Sequence, residues 1–362
     1  MTKVQIKAPG KLYVAGEYAV VEPGYSAIIM AVDLFVHLSV SESIEKSGCV
    51  FSEGFTPKPV RWARRDGEVQ LEQATPALKY ILSAIHTVED YVKELGIPLK
   101  FYDLNISSEL ESENRRKLGL GSSGAITVAT VKGLLQYYEV ADSDLLVYKL
   151  SVLAQLQLGI NSSFGDLAAI TYTGWIRYTN FDRNAMLAAL REMTVKEVVT
   201  MDWPLLDIQR LEVASDVQFL IGWTGSPASS DDLVGNVQKK KQQSEKEYQH
   251  FLNESKASVD ILVEALKTNN IEQIQLAVER NRQALLKMSQ QTNVFIETPH
   301  LTQLIEIAEM HGGIAKTSGA GGGDSGIAFV FDKERATQMI EDWQDAEIIN
   351  LPLKIYNKEH IN

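Results

Sequence analysis

The fold of this 362-residue chain is indicated by a glycine-rich stretch, Lys117-Leu-Gly-Leu-Gly-Ser-Ser-Gly-Ala125, and by the apolar run Ile126 to Tyr138 directly after it. The apolar run predicts a buried helix. The three glycines before it can adopt dihedrals that other residues avoid, so several backbone N–H groups can converge on one anion. The helix start adds partial positive charge, and Ser122 and Ser123 offer hydroxyls to a phosphate or a magnesium ion. The stretch therefore predicts a phosphate-binding loop at a helix N-terminus.

Other proteins use glycine loops for different ligands, and the flanking sequence argues against most of them. The dinucleotide pattern G-x-G-x-x-G needs a buried strand directly before it. Here the preceding segment, Glu109 to Lys117, is charged, which disfavours a nicotinamide enzyme. A P-loop would need Lys-Ser or Lys-Thr after the last glycine. A protein kinase would need His-Arg-Asp and Asp-Phe-Gly motifs, and the sequence has neither. A loop that only caps a helix remains the structural alternative.

Two further runs share the glycine-rich character. The first extends from Lys7 to Gly24 and reads as a strand broken by a Pro-Gly turn and again at Gly16, with Lys11 and Glu17 close to the break. The second, Thr317-Ser-Gly-Ala-Gly-Gly-Gly-Asp-Ser-Gly326, leads into an apolar strand. Consecutive glycines form a backbone nest that suits an anion. Each glycine also adds unfolded-state entropy that folding must overcome, so a purely structural origin for the second run is hard to defend.

Composition favours a two-domain protein that acts on small molecules. The chain has 362 residues, is 45% hydrophobic and carries a net charge of −12. That length suits two domains, and the acidic balance argues against a nucleic-acid partner. A single cysteine, Cys49, leaves no internal disulfide and suits a reducing cytoplasm. No apolar run approaches the ~20 residues of a membrane span, and the N-terminus lacks a signal-peptide core.

Periodicity and turn signals predict mixed α and β structure. A domain change is expected near residues 202–212, which have little helical periodicity and precede a strand. Single helices are predicted from Thr75 to Leu95, from the cap Ser143 to Leu158, and from Thr298 to about His311. Two long helices are predicted between residues 230 and 291, with a turn at Thr268-Asn-Asn270 between them. Strands are predicted through residues 3–40 and at 99–107, 175–178, 217–223, 326–331 and 353–356. The last two are expected to complete a small second sheet with helices on one face.

The inventory of reactive residues fits phosphoryl transfer better than hydrolysis. No histidine lies in a glycine motif, and no Cys/His/Glu cluster has metal-ligand spacing. Phosphoryl transfer needs mainly positioning and neutralisation of charge, which glycine nests, a lysine and Mg²⁺ provide. Asp166 is the candidate acid, with a helix N-cap as its structural alternative. Lys11 is the candidate lysine of the site, and its structural alternative is a lysine on the surface of a strand. The triplet Arg115-Arg116-Lys117 concentrates positive charge directly before the glycine loop, where it would attract a phosphate, and its structural alternative is a solvated charged turn. Asp324 and Ser318 can bind substrate or satisfy a tight turn, and Glu17 can pair with Lys11 or only flank the bend.

Together the three runs resemble the GHMP kinases, the superfamily of galactokinase, homoserine kinase, mevalonate kinase and phosphomevalonate kinase. Lys7 to Glu17 matches the first family motif, Leu118 to Ala125 the second, which is the ATP-binding loop, and Lys316 to Gly326 the third. The resemblance covers nearly the whole chain.

Within the superfamily, three segments look like those of the bacterial phosphomevalonate kinases: Gly10 to Tyr18, Ser162 to Ala168 and Gly319 to Asp324. Many GHMP kinases carry Gly-Glu-His in the first motif, where Tyr18 stands here as it does in phosphomevalonate kinases. The resemblance therefore implies ATP-dependent phosphorylation of (R)-5-phosphomevalonate to mevalonate 5-diphosphate, a step of isoprenoid biosynthesis, with ATP and Mg²⁺ as cofactors.

The resemblance also implies an α+β, two-domain GHMP kinase fold. Residues 1–205 would form an N-terminal ATP-binding domain of the ribosomal protein S5 domain 2-like type, and residues 206–362 a C-terminal ferredoxin-like α/β sandwich. We expect a cytoplasmic monomer or homodimer with a small-molecule substrate and neither nucleic-acid nor membrane partners.

Site residues follow from the same resemblance. Lys11 and Asp166 would be catalytic, and Ser123 would bind magnesium. The nucleotide would be bound by Lys117, Gly119, Leu120, Gly121, Ser122, Ser123, Gly124 and Ala125. The acceptor would be bound by Lys11, Tyr18, Lys117, Ser162, Ser163, Gly165, Asp166, Ser318, Gly319, Ala320 and Gly321.

Two other functions stay open at this point. The acceptor could be mevalonate or another alcohol of the superfamily. Alternatively, the protein could be a non-catalytic GHMP relative that senses a metabolite. The presence of Lys11 and Asp166 beside an intact Ser122-Ser123 loop favours catalysis.

Overall fold

A computed structural model describes residues 3–54, 56–73, 75–111, 116–225, 230–240 and 245–360. The chain forms two sheets, each covered by helices. Arg115, one of the predicted phosphate-attracting residues, lies outside the described residues. Within these ranges no helix is long and apolar enough to cross a bilayer.

The first sheet holds the N-terminal half of the chain. Its strands follow the order β5-β4-β3-β6-β2-β7-β8, and β1 pairs with β2. The 17-residue β2 is long enough to pair with β6 near one end and with β7 near the other. The strands are β1 (Lys3–Ala15), β2 (Ser26–Glu42), β3 (Gly48–Ser52), β4 (Val60–Arg65), β5 (Glu68–Leu71), β6 (Tyr102–Ser108), β7 (Trp175–Thr179) and β8 (Asp207–Arg210).

Helices pack on this sheet. They are α1 (Lys79–Glu94), α2 (Ser122–Tyr137), α3 (Asp144–Gln157), α4 (Gly165–Tyr172), α5 (Arg183–Glu192) and α6 (Val195–Thr200). Helix α2 contacts β1, β2, α1, α3 and α4, which explains why twelve of its 16 residues are buried. The predicted cap of α3 is confirmed, since Ser143 Oγ accepts a hydrogen bond of 3.2 Å from Leu146 N. Sequence analysis did not predict α5 and α6, although Thr194 and Glu197 form a capping box at the start of α6.

The second sheet has the order β10-β11-β9-β12 with antiparallel pairing. Its strands are β9 (Gln218–Trp223), β10 (Ile314–Thr317), β11 (Ser325–Val330) and β12 (Ile349–Asn350). The accompanying helices are α7 (Ser230–Lys240), α8 (Glu245–Thr268), α9 (Ile271–Thr292), α10 (Pro299–Met310) and α11 (Lys333–Asp345). The region predicted as two long helices therefore contains α7 as well. The predicted turn between α8 and α9 is present, with Asn270 capping α9.

The two halves share an apolar core. One cluster of buried side chains includes residues of both sheets, and the Trp175 ring meets the Phe219 ring edge-on at 5.8 Å. The predicted strand at 353–356 is wrong as a member of the second sheet, because Ile355 forms an isolated bridge with Val32 of β2. The chain thus returns to the first sheet near its C-terminus.

The predicted boundary between residues 205 and 206 remains a prediction. Strand β8 follows that boundary, yet it pairs with β7 in the first sheet. The next strand, β9, belongs to the second sheet. Because β8 belongs to the first sheet and β9 to the second, we propose that the domain boundary lies in the connection between them, at residues 211–217.

Candidate active site

Backbone and hydroxyl contacts hold the three glycine-containing runs against each other. Lys11 N donates to Leu120 O at 2.9 Å, which joins β1 to the loop before α2. Ser318 Oγ donates to Tyr13 O at 2.7 Å, and Tyr18 Oη donates to Ala320 O at 2.6 Å, so the loop between β10 and β11 closes on the same region. The runs are distant in the chain but border one site.

The site is a pocket of about 490 Å³. Fourteen of the predicted site residues line it, namely Lys11, Tyr18, Lys117, Gly119, Leu120, Gly121, Ser122, Ser123, Ser162, Ser163, Asp166, Ser318, Gly319 and Ala320. Four other predicted residues, Gly124, Ala125, Gly165 and Gly321, are not part of the lining. The positions of Gly124 and Gly165 matter because they let neighbouring groups approach closely.

The loop before α2 has the geometry of an anion-binding helix start. Gly121 is the N-cap, with φ of 81° in the left-handed region. Ala125 N donates to Gly121 O at 3.0 Å, which closes the first turn. The amides of residues 122–124 precede that bond, at the end where helix N–H groups lack intrahelical partners. Ser122 and Ser123 line the pocket, so this end of α2 can receive a phosphate.

Lys11 is a buried cation at the centre of the site. Only 9% of the residue is exposed, and Nζ donates to Gly119 O at 3.1 Å. Burial lowers the pKa of Lys11, while the charges of Asp166 and Asp324 oppose that shift. The aliphatic part of the side chain crosses Gly121, where an added Cβ would lie 2.7 Å from Lys11 Cε. Lys11 therefore lies within the protein beside the nucleotide loop, and the surface-lysine alternative is wrong.

Asp166 lies in the first turn of α4 and is not its N-cap. The N-cap is Phe164, whose φ of 58° is rare for a bulky residue. Ser162 Oγ accepts a hydrogen bond from Phe164 N at 3.1 Å, and Ser163 Oγ accepts one from Gly165 N at 3.3 Å. A Cβ at Gly124 would lie 2.7 Å from Asp166 Oδ2, so the carboxylate approaches the start of α2 through the space that this glycine leaves.

Glu17 pairs with Lys316 in the structure, so neither of its two predicted roles, pairing with Lys11 or only flanking the bend, describes it. Lys316 is completely buried and Glu17 is 2% exposed. Lys316 Nζ also donates to Thr317 O at 2.6 Å. This ion pair links the first glycine-containing run to β10, and no sequence pattern marks Lys316 as the partner of Glu17. Asp324 joins the pocket as well, with its side chain beside Gly119.

Sequence reasoning missed several lining residues. Tyr13 lines the pocket on the same face of β1 as Lys11, which a two-residue spacing in a strand could have indicated. Gln155 of α3 and Asn161 also line it, and no local pattern marks them. Of the predicted basic triplet, Lys117 is exposed at the pocket. Arg116 donates to Gly225 O at 3.2 Å and is not among the lining residues.

The residues fit a magnesium ion that is held mainly by nucleotide phosphates. Mg²⁺ usually keeps several waters and takes one or two protein ligands besides substrate phosphates. Ser123 supplies a hydroxyl at the start of α2, and the carboxylates of Asp166, Asp324 and Glu17 border the same pocket. Among the described residues no group of three or more His, Cys, Asp or Glu side chains forms a metal site on its own.

The fold and the site define a small-molecule kinase, and comparison with known families identifies the class. The model described as "GHMP kinases N terminal domain" matches residues 79–174, and the one described as "GHMP kinases C terminal" matches residues 262–348. With a full-length relative at 37% identity, these matches show that the chain belongs to the GHMP kinase family. The predicted two-domain GHMP kinase fold is confirmed.

Within the family, the chain is similar along its whole length to phosphomevalonate kinases. The phosphomevalonate kinase of Streptomyces sp. (strain CL190) is 37% identical over 96% of this chain and 95% of that protein. The solved structure of the Streptococcus pneumoniae phosphomevalonate kinase in complex with phosphomevalonate and AMPPNP has a TM-score of 0.86 and 33% identity, covering 98% of this chain and 100% of that one. A mevalonate kinase of Methanocaldococcus jannaschii is 26% identical over 95% of this chain and 98% of that protein.

Proposed function

We propose that the protein transfers the γ-phosphoryl group of ATP to the phosphate of (R)-5-phosphomevalonate, forming mevalonate 5-diphosphate and ADP. One observation carries the proposal: the buried ammonium of Lys11 donates to Gly119 O in the loop before α2, and the charge of the Asp166 carboxylate acts on it. A buried cation at this position can hold two anionic phosphates close together. Whole-length similarity to phosphomevalonate kinases supports the choice of acceptor.

The nucleotide would bind at the start of α2. In this proposal the backbone of residues 119–125 holds the phosphates, Lys117 adds positive charge at the pocket, and Ser123 contributes a hydroxyl to Mg²⁺. Bound magnesium would neutralise charge on the β- and γ-phosphates. Gly124 and Ala125 contribute backbone and space, since their positions lie behind the lining.

The acceptor would bind on the opposite wall, at the side chains of Lys11, Tyr18, Ser162, Ser163 and Asp166. The loop between β10 and β11 would complete this wall through Ser318, Gly319 and Ala320, which line the pocket. Gly165 and Gly321 would shape it without direct contact. At Gly321 an added Cβ would collide with Ile296 O, so the close packing of this loop requires glycine.

The chemistry follows from the acid-base properties of the acceptor. A phosphate monoester has its second pKa near 6, so its attacking oxygen is mostly deprotonated at neutral pH. A general base is then unnecessary, and the main barrier is repulsion between the acceptor and the γ-phosphoryl group. We propose that Lys11 lies between these anions and stabilises the transition state, whereas Asp166 orients Lys11 or the acceptor.

Mevalonate is the strongest alternative acceptor, because a mevalonate kinase is also similar along the whole chain. A non-catalytic metabolite sensor is the other alternative. Lys11, Asp166 and the Ser122-Ser123 loop line one pocket, and this combination favours catalysis over a sensor. A cytoplasmic location is also proposed, on the single cysteine and the small-molecule substrate.

The test is ADP release with phosphomevalonate, mevalonate, homoserine and galactose as acceptors. We expect turnover with phosphomevalonate and at most a small fraction of that rate with the others. A preference for mevalonate would refute the proposed acceptor, and no turnover with any acceptor would favour the sensor.

The role of Asp166 is tested separately with Asp166→Asn, which keeps the size of the side chain but cannot take a proton. With phosphomevalonate this variant should retain measurable activity and a flat profile from pH 7 to 9. An inactive variant whose residual rate climbs with pH would refute the base-free mechanism while leaving the kinase assignment intact. Lys11→Ala should lose roughly 10²–10³-fold in kcat with the fold retained.

A further inference from the structure

Tyr13 of β1 connects three parts of the pocket. Its hydroxyl lies 2.9 Å from Ser163 Oγ and takes a hydrogen bond from the backbone of Asp166. Its carbonyl oxygen accepts the hydrogen bond from Ser318 Oγ, and its ring lies 5.6 Å from Lys11 Nζ. No role has been assigned to this tyrosine so far, yet it contacts both the acceptor wall and the third glycine run.

The tyrosine hydroxyl is held in place and keeps its proton. A Cβ at Gly165 would lie 2.8 Å from Tyr13 Oη, so the start of α4 can approach the hydroxyl only because residue 165 is glycine. Burial raises the pKa of Tyr13 far above its usual value, and the charge of Asp166 adds to the shift. At neutral pH the phenol is therefore one donor and one acceptor.

Either hydroxyl of the Tyr13–Ser163 pair can donate in the free protein, and a bound phosphate would select the direction. A phosphate dianion only accepts hydrogen bonds, so a Ser163 hydroxyl that donates to it leaves the serine oxygen to accept the proton of Tyr13. Ser163 Oγ also accepts from Gly165 N at 3.3 Å. A serine oxygen that accepts two hydrogen bonds directs its own proton to a third group. Ser163 lines the pocket, so its proton can reach an acceptor that binds there.

We propose that Tyr13 is a specificity-determining positioning residue, which orients the Ser163 hydroxyl as a donor to the phosphate monoester of the acceptor. The phosphate is the reacting group, and Ser163 lies on the loop that leads directly into Asp166 at the reaction centre. A hydrogen bond to a charged phosphate oxygen is stronger than one to a neutral hydroxyl. A Ser163 hydroxyl oriented in this way therefore favours a phosphorylated acceptor over an alcohol. This inference rests on the proposed function.

Tyr13→Phe tests the proposal because it removes the hydroxyl and keeps the ring. We expect the KM for phosphomevalonate to rise about tenfold, the usual size of one lost hydrogen bond to a charged group, while the KM for ATP stays within about twofold. Ser163→Ala should give the same change. The double variant should be no worse than either single variant, because both remove the same interaction. Additive effects, or an unchanged KM in Tyr13→Phe, would overturn the proposal.

Tyr148→Phe is the matched control. Its hydroxyl donates to Tyr178 Oη at 2.9 Å, and Tyr178 Oη in turn donates to Ser163 O, so it belongs to the same buried set but lies outside the pocket lining. We expect this control to lower the melting temperature about as much as Tyr13→Phe and to leave the KM for phosphomevalonate unchanged. A raised KM in the control would show that any lost buried hydroxyl has the same effect, which contradicts a specific role for Tyr13.

Binding measurements separate the phosphate from the rest of the acceptor. In titration calorimetry Tyr13→Phe should weaken phosphomevalonate and leave mevalonate unaffected. Equal weakening of both ligands would refute the assignment to the phosphate. Wild-type protein that fails to phosphorylate phosphomevalonate refutes the proposed function itself, whereas an active wild type with unaltered Tyr13→Phe kinetics refutes only this inference.

Discussion

Adding one methyl group at Gly124 should impair catalysis and leave the conformation of the nucleotide-binding loop unchanged. In Gly124→Ala the new Cβ would lie 2.7 Å from Asp166 Oδ2 and 3.0 Å from Ile170 Cδ1, against an ordinary contact of at least 3.4 Å. The carboxylate must therefore move by about 0.7 Å. A misplacement of about 1 Å can cost about 10²-fold in rate, so we expect kcat to fall by one to two orders of magnitude. Helix propensity favours alanine by about 1 kcal/mol, which offsets part of the steric cost to stability.

The assay combines steady-state kinetics, thermal unfolding and calorimetric binding of AMPPNP. We expect a reduced kcat, nearly unchanged nucleotide affinity and a melting temperature close to that of the wild type. Gly133→Ala is the control, since it makes the same change on the same helix but meets Leu38 and Val40 in the core. The control should lower the melting temperature and leave kcat per folded molecule nearly unchanged. A Gly124→Ala variant with wild-type kcat would refute the idea that the position of Asp166 limits the reaction.

Four further predictions test the site. Because burial lowers the pKa of Lys11, its ammonium loses charge below the usual lysine range, so kcat/KM should fall as pH rises toward 10; a flat profile to pH 10 contradicts this. Ser123→Ala should weaken Mg·ATP turnover far more than thermal stability, and an unchanged rate across a magnesium titration would remove Ser123 from the site. Lys117→Ala should raise the KM for the acceptor more than that for ATP, with a difference that shrinks at high salt; equal effects would indicate a loop-folding role. Lys316→Met leaves the buried Glu17 carboxylate unpaired and should lower the free energy of unfolding, measured in urea, by about 3–5 kcal/mol. Adding Glu17→Gln should recover much of that loss, and no recovery would mean that the lost pairing is not the cause.

Much of the local structure could be predicted because it depends on neighbouring residues. The cap at Ser143 and the helix start at Thr298 are present as expected, and in both a side-chain oxygen satisfies a free N–H group of the first turn. The glycine loop before α2 was predicted for a similar reason, because only glycine readily adopts the positive φ seen at Gly119 and Gly121. Helices α5 and α6 were missed because they have only 10 and 6 residues, and segments this short are hard to assign by periodicity.

The sequence by itself determined the three glycine runs, the helix starts, the alternation of the strands and, through family resemblance, the class of enzyme. Tertiary structure decided which side chains meet. Glu17 pairs with Lys316, which is 299 residues away, and Tyr13 bonds to Ser163, which is 150 residues away. Local patterns restrict the dihedrals of a segment and the face it buries, but many partners satisfy them equally well. Only the packing of the two sheets around a shared core selects one partner, because a buried charge or hydroxyl is stable only beside the group that satisfies it.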